Sequence, residues 1–293
     1  MRGFLALRRA VLALGLALAL PVSLAAPLAA ETTEAMPAAS ARIAALSEIF
    51  QIAPMFDVLR QEGMHYGADL DADLLEGQGG LIWLAKVGAV YDTGRMRARY
   101  DAAMLAELGM DSAALTGIEA FFSTGLGQRV MVLELEARRT LLDDAAKQAA
   151  EREFAGLRGR GGARLAALTE MVEVNDLVES NVMGGLNANL AFYRGLSEAA
   201  PPGDRMNEAE ILAEVWASEA DVRTETENWL YPFLNLAYQP LSDADLQDYI
   251  GFSRSPAGQR LNRAMFSAFD QIFTAISADL GRVLGREMQG QAL

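Results

Sequence analysis

Apolar residues recur along most of the chain at intervals of three and four. Examples are Leu126, Val130, Leu133, Ala137 and Leu141, and again Leu261, Met265, Ala268, Ile272, Ile276, Leu280 and Val283. This spacing lays one stripe of side chains along one face of an α-helix, and no stretch alternates with the period of two that a half-buried strand shows. The pattern therefore predicts an all-α fold. In the first half it places helices roughly at 41–52, 54–76, 81–90, 93–108, 112–122 and 125–157. In the second half they fall roughly at 163–198, 207–217, 220–238, 243–253 and 256–288. Pro54 suits a first helical turn, the run from Ala200 to Asp204 reads as a turn, and Pro232 should kink its helix.

The chain also repeats itself. Phe121-Phe122-Ser123-Thr124-Gly125-Leu126-Gly127-Gln128-Arg129-Val130 returns as Phe252-Ser253-Arg254-Ser255-Pro256-Ala257-Gly258-Gln259-Arg260-Leu261, with Leu115 and Leu246 six positions upstream of the motif. Earlier, Ala41 to Glu48 (ARIAALSE) returns as Ala163 to Glu170 (ARLAALTE). Two echoes in the same order at nearly the same separation predict two similar multi-helix halves, 31–157 and 158–293, joined near Gly156 to Gly162. Asp111 and Ser242 align as N-caps, and Asp245 gives Ser242 a near capping box. Thr124 and Ser255 align as the caps of the next helices. Gly127 and Gly258 then fall on the first turn, where glycine costs about 1 kcal/mol against alanine, so close approach of the preceding helix is expected to favour it. Gln128 and Arg129, like Gln259 and Arg260, are expected to point from the helix start toward the turn.

The aromatic-x-x-Ser/Thr-x-x-Gly-Gln-Arg pattern followed by a striped helix resembles the bacterial domain-of-unknown-function family 2059. The likeness is closest at Phe252 to Leu261 and looser at Phe121 to Val130, where Gly125 stands in place of the proline. The resemblance implies an exported helical domain and carries no catalytic residues with it.

The N-terminus has Arg2, Arg8 and Arg9, an apolar run from Ala10 to Leu20, and then small residues to Ala30. That sequence of features is a secretory signal over 1–30, with an apolar run only about half the roughly 20 residues a membrane span needs. Cleavage predicts a periplasmic product with no stable membrane insertion. It also removes three arginines and no acid, which moves the formal charge from −14 to −17 and argues against nucleic acid as a partner. With no cysteine, disulfides, thiol nucleophiles and lipid anchoring on cysteine are excluded.

Metal chemistry has little to stand on. Asp69, Asp71, Asp73 and Gly77 suggest a calcium loop, but Leu74 holds the glycine position and Gly80 the place of the bidentate Glu, so a solvated acidic helix end is expected. His65 is the single histidine, which leaves the usual zinc sites and Ser-His catalysis without partners. No metal and no cofactor is predicted.

Two stretches remain as candidates for binding. Asn175 and Glu179 lie four apart on an apolar stripe through Leu168, Val172, Val182 and Leu186, so they read as a buried polar site or as a hydrogen-bonded network holding helices in register, which Asn187 and Asn189 could join. Trp216, Trp229, Tyr231, Phe233 and Tyr238 read as core or as the wall of an apolar pocket. The candidate residues are therefore Asn175, Glu179 and Trp229. The function expected is an exported binding or interaction protein of the cell envelope, its partner an envelope protein or an apolar small molecule. The alternative is a periplasmic hydrolase or lyase working through a buried carboxylate such as Glu179.

Overall fold

The structure is a computed structural model that describes residues 32–291; the leader expected over 1–30 lies outside them. Every regular element among these residues is an α-helix. In chain order they are α1 (Thr32–Ile49), α2 (Ile52–Leu74), α3 (Gly80–Val90), α4 (Thr93–Leu108), α5 (Ser112–Phe122), α6 (Gly125–Thr140) and α7 (Asp144–Arg160). Then follow α8 (Ala163–Val174), α9 (Leu177–Ala199), α10 (Glu208–Ala217), α11 (Glu219–Tyr238), α12 (Asp243–Arg254) and α13 (Pro256–Gln291). No described helix is long and apolar enough to cross a membrane.

Two expected helices are divided. The one placed at 125–157 breaks at Leu141–Asp143, where the Asp143 carboxylate accepts the Ala146 N–H (2.8 Å) and starts α7. The one placed at 163–198 breaks at Asn175–Asp176, because Asp176 adopts the left-handed conformation (φ 49°). Gln51 does the same (φ 55°) between α1 and α2. The α11 helix continues through Pro232.

The echoed turns are built alike. Thr124 and Ser255 accept the N–H of Gly127 and Gly258 at 3.0 and 3.1 Å, so each caps its helix as the sequence predicts. A Cβ on Gly127 would lie 2.4 Å from the Phe121 carbonyl oxygen, and one on Gly258 would lie 2.1 Å from that of Phe252. The close approach of the preceding helix is thus what requires glycine at both positions. Gln259 does reach back to its turn, donating to the Ser253 and Val174 carbonyls (both 2.8 Å), whereas Gln128 is exposed.

The arginines do something else. Arg129 donates to the Pro240 carbonyl ahead of α12, and Arg260 donates to the Glu107 carbonyl ahead of α5 while pairing with the Asp111 cap (3.5 Å). Each arginine therefore ties its helix to the turn of the other half rather than to its own. Between them, Phe121 stacks on Phe252 with centroids 4.1 Å apart. The earlier echo works inside each half instead, since Arg42 bonds Ser112 and Glu119 of α5 and Arg164 bonds Asp243 of α12. The buried apolar residues of both halves form one continuous cluster. Within it α13 lies along α9, and α6 packs on α11.

Candidate functional site

A cavity of about 210 Å³ opens inside this shared core, where α6 faces α11, α12 and α13. Its walls are apolar and rich in aromatics: Phe50, Phe122, Phe252, Phe266, Phe269 and Phe273 with Ile52, Met55, Met131 and Met265. Trp229 and Phe233, one turn apart on α11, stack at 4.9 Å and line it while staying partly exposed. Along α13 the lining runs from Gly258 to Phe273, about 22 Å of helix at 1.5 Å per residue. The space is therefore elongated.

Polar groups face this space at a few points. Glu134, partly buried in the lining, accepts hydrogen bonds from the hydroxyls of Tyr238 (2.8 Å) and Tyr249 (3.1 Å), both on the same oxygen, Oε1. Burial raises the Glu134 pKa above the ordinary carboxylate value, and the two phenol donors only partly oppose that shift. Burial likewise pushes both phenols well above their usual range, so they remain donors.

One turn on, Arg138 grips Glu62 of α2 through two bonds of 2.8 Å and lies over the Trp229 ring, 5.6 Å from its centroid. Burial disfavours its charge, and the Glu62 carboxylate more than offsets that. Arg138 is thus a charge already committed to a partner. Asn175 also lines the cavity, its amide donating to the Met171 carbonyl (3.1 Å), and the Asn262 amide donates to the Asn175 carbonyl (3.0 Å).

Two of the three sequence candidates, Asn175 and Trp229, therefore meet on one cavity. Glu179 does not. The four-residue spacing from Asn175 holds only in a continuous helix, and the left-handed Asp176 breaks it, so Glu179 sits in the first turn of α9, side chain 56% exposed, paired with Arg223. Its bonds with Arg223 lower its pKa, the opposite of what a buried general acid requires. Asn187 and Asn189 bond Asp270 (3.0 Å) and Ser218 (3.3 Å) instead.

Of the other aromatics, Trp216 is exposed and Tyr231 stacks on Phe154 at a separate surface pocket. Of the acidic run at the end of α2, Asp69 and Asp73 are exposed and Asp71 accepts the Gly79 N–H (2.8 Å); His65 is exposed. No cluster of metal-ligating side chains occurs among the described residues. The carboxyl that matters to the cavity is Glu134. Its sequence signal was the face Met131, Glu134, Arg138, in which an apolar residue shares a stripe with two charges.

No protein-family model, no curated protein and no solved structure matches the chain.

Proposed function

We propose that this chain is an exported, non-catalytic binding protein of the cell envelope whose central cavity holds an apolar small molecule. The observation that carries this reading is the cavity itself, with long apolar walls, partly accessible aromatics and a small polar cluster on one side. That combination suits ligand binding better than turnover. Among its lining residues Glu134 has phenols for neighbours and neither an imidazole nor a second carboxylate, so it offers a hydrogen-bonding floor without an acid–base pair. Hydrolysis through Glu179 loses its footing with that residue on the surface. Export rests on the sequence of 1–30, and descent from one duplicated unit, akin to family 2059, rests on the two echoes and the reciprocal Arg129 and Arg260 contacts.

The test is to purify the mature protein from its own periplasm without detergent, extract it with organic solvent and examine the extract by mass spectrometry. A stoichiometric apolar compound is expected, and it should be absent from a Met131→Trp variant whose indole fills the cavity. A compound retained equally by that variant, or turnover of an envelope substrate lost in Glu179→Gln, contradicts the reading.

A further inference from the structure

The polar atoms that line the cavity divide unevenly into donors and acceptors. The hydroxyls of Tyr238 and Tyr249 both donate to Oε1 of Glu134, so neither is left for a ligand, and no donor among the described residues reaches Oε2. That oxygen is unpaired without being sealed away, and with Glu134 in the wall it is the cavity that reaches it. Asn175 and Asn262, also in the lining, repeat the pattern. The Asn175 amide donates to the carbonyl and the sulfur of Met171 (both 3.1 Å), and the Asn262 amide donates to the Asn175 carbonyl (3.0 Å). Those bonds fix which way each amide is turned and leave both Oδ1 atoms without a donor among the described residues.

Donors are scarcer. Arg138 gives two bonds to Glu62, and the Ser253 hydroxyl turns to the Met171 sulfur (3.8 Å). What remains is the indole N–H of Trp229, the second amide hydrogen of Asn262 and the outer N–H groups of a guanidinium already paired. An unmet acceptor in an apolar wall costs free energy that an incoming donor recovers. Burial by itself disfavours the Glu134 charge, and a donor on Oε2 offsets part of that cost. A ketone would bring one more acceptor to a lining that already has them in excess. A carboxylate would do the same and would stand beside Glu134.

We propose that the cavity selects chain-like amphiphiles whose head donates hydrogen bonds, a hydroxyl or a primary ammonium, with Oε2 of Glu134 as the acceptor and the hydrocarbon among the phenylalanines along α13. This rests on the binding function proposed above and names its ligand class.

Isothermal titration of delipidated protein at neutral pH with dodecanol, dodecylammonium, 2-dodecanone and dodecanoate tests it. The alcohol and the ammonium should each bind at least about ten-fold more tightly than the ketone or the carboxylate, the difference one satisfied buried hydrogen bond makes. Glu134→Gln gives the sharper reading. With the phenols still holding its oxygen, the amide nitrogen takes the place of Oε2 and turns an acceptor into a donor of the same shape. The ammonium should then lose about ten-fold and the ketone gain about ten-fold, whereas a preference unmoved by that substitution would overturn the proposal. The ketone or dodecanoate binding best to the parent protein would overturn it too. Equal affinities for all the probes, lost together in Met131→Trp, would overturn it while leaving the binding function standing. Binding of none of them would refute both.

Discussion

The second and sixth helices of each half meet in very different ways. Between α9 and α13 the backbones touch: a Cβ on Gly195 would lie 2.2 Å from the Ala278 carbonyl oxygen, and one on Gly281 would lie 2.2 Å from that of Phe192. Between α2 and α6 the connection is made by long side chains, above all the Glu62–Arg138 pair, and beside it lies the cavity with Met55 and Met131 in its wall. Helix separation follows the side chains at the contact. The comparison teaches that one helix pair can be sealed by glycines while another is held apart by a salt bridge, and that of these two pairs the second borders room for a ligand.

Overfilling the sealed side should break it. Gly281→Leu forces a side chain into the Phe192 backbone and is expected to cost about 3 kcal/mol in urea denaturation, at the upper end for overpacked sites. A change near zero would mean that the seam is not closed. Removing the prop comes next, since Arg138→Met leaves the Glu62 carboxylate without its partner; a loss of about 2 kcal/mol is expected from a charge-assisted pair that is mostly buried. Filling the open side should be nearly free by contrast. Met131→Phe should change stability by less than about 1 kcal/mol because the ring enters existing space, yet it should weaken ligand binding.

The Glu134 carboxyl gives a pH signature without a change of shape. Its folded pKa is raised, so the native state binds the proton more tightly than the unfolded chain, and stability falls as pH rises from the ordinary carboxylate range through the raised value. Glu134→Gln removes that loss, so it should be more stable than the parent at neutral pH and equal to it in acid, as paired melting curves would show. The smallest effect belongs to the surface: Glu179→Gln breaks only an exposed pair with Arg223 and should move stability by less than about 1 kcal/mol without touching binding. A large loss of binding there would return Glu179 to the site.

The helices were legible because burial of one face imposes the 3.6-residue period on the sequence. So were the caps and the two glycine turns, whose chemistry is local. The breaks at Leu141–Asp143 and Asn175–Asp176 were not, since neither carries glycine or proline and their cues are weaker ones, an aspartate N-cap at Asp143 and an aspartate in the left-handed conformation at Asp176. That one residue explains why Asn175 was found and Glu179 misplaced.

Glu134 was hidden for a different reason. Spaced four from Arg138, it reads as half of a solvated surface pair, and only the fold shows that Arg138 turns to Glu62 and leaves Glu134 to the phenols. The partners of Arg129 and Arg260 were equally out of reach, because each lies more than a hundred residues away in the other half.

The most direct test of the cavity's role is a crystal structure of the protein soaked with dodecanol carrying bromine at its far end, with anomalous data collected at the bromine edge. The account predicts one bromine peak among the phenylalanines lining α13 and the alcohol oxygen within hydrogen-bond distance of Glu134. A bromine peak outside the cavity, or an occupied cavity with the alcohol turned away from Glu134, would contradict it.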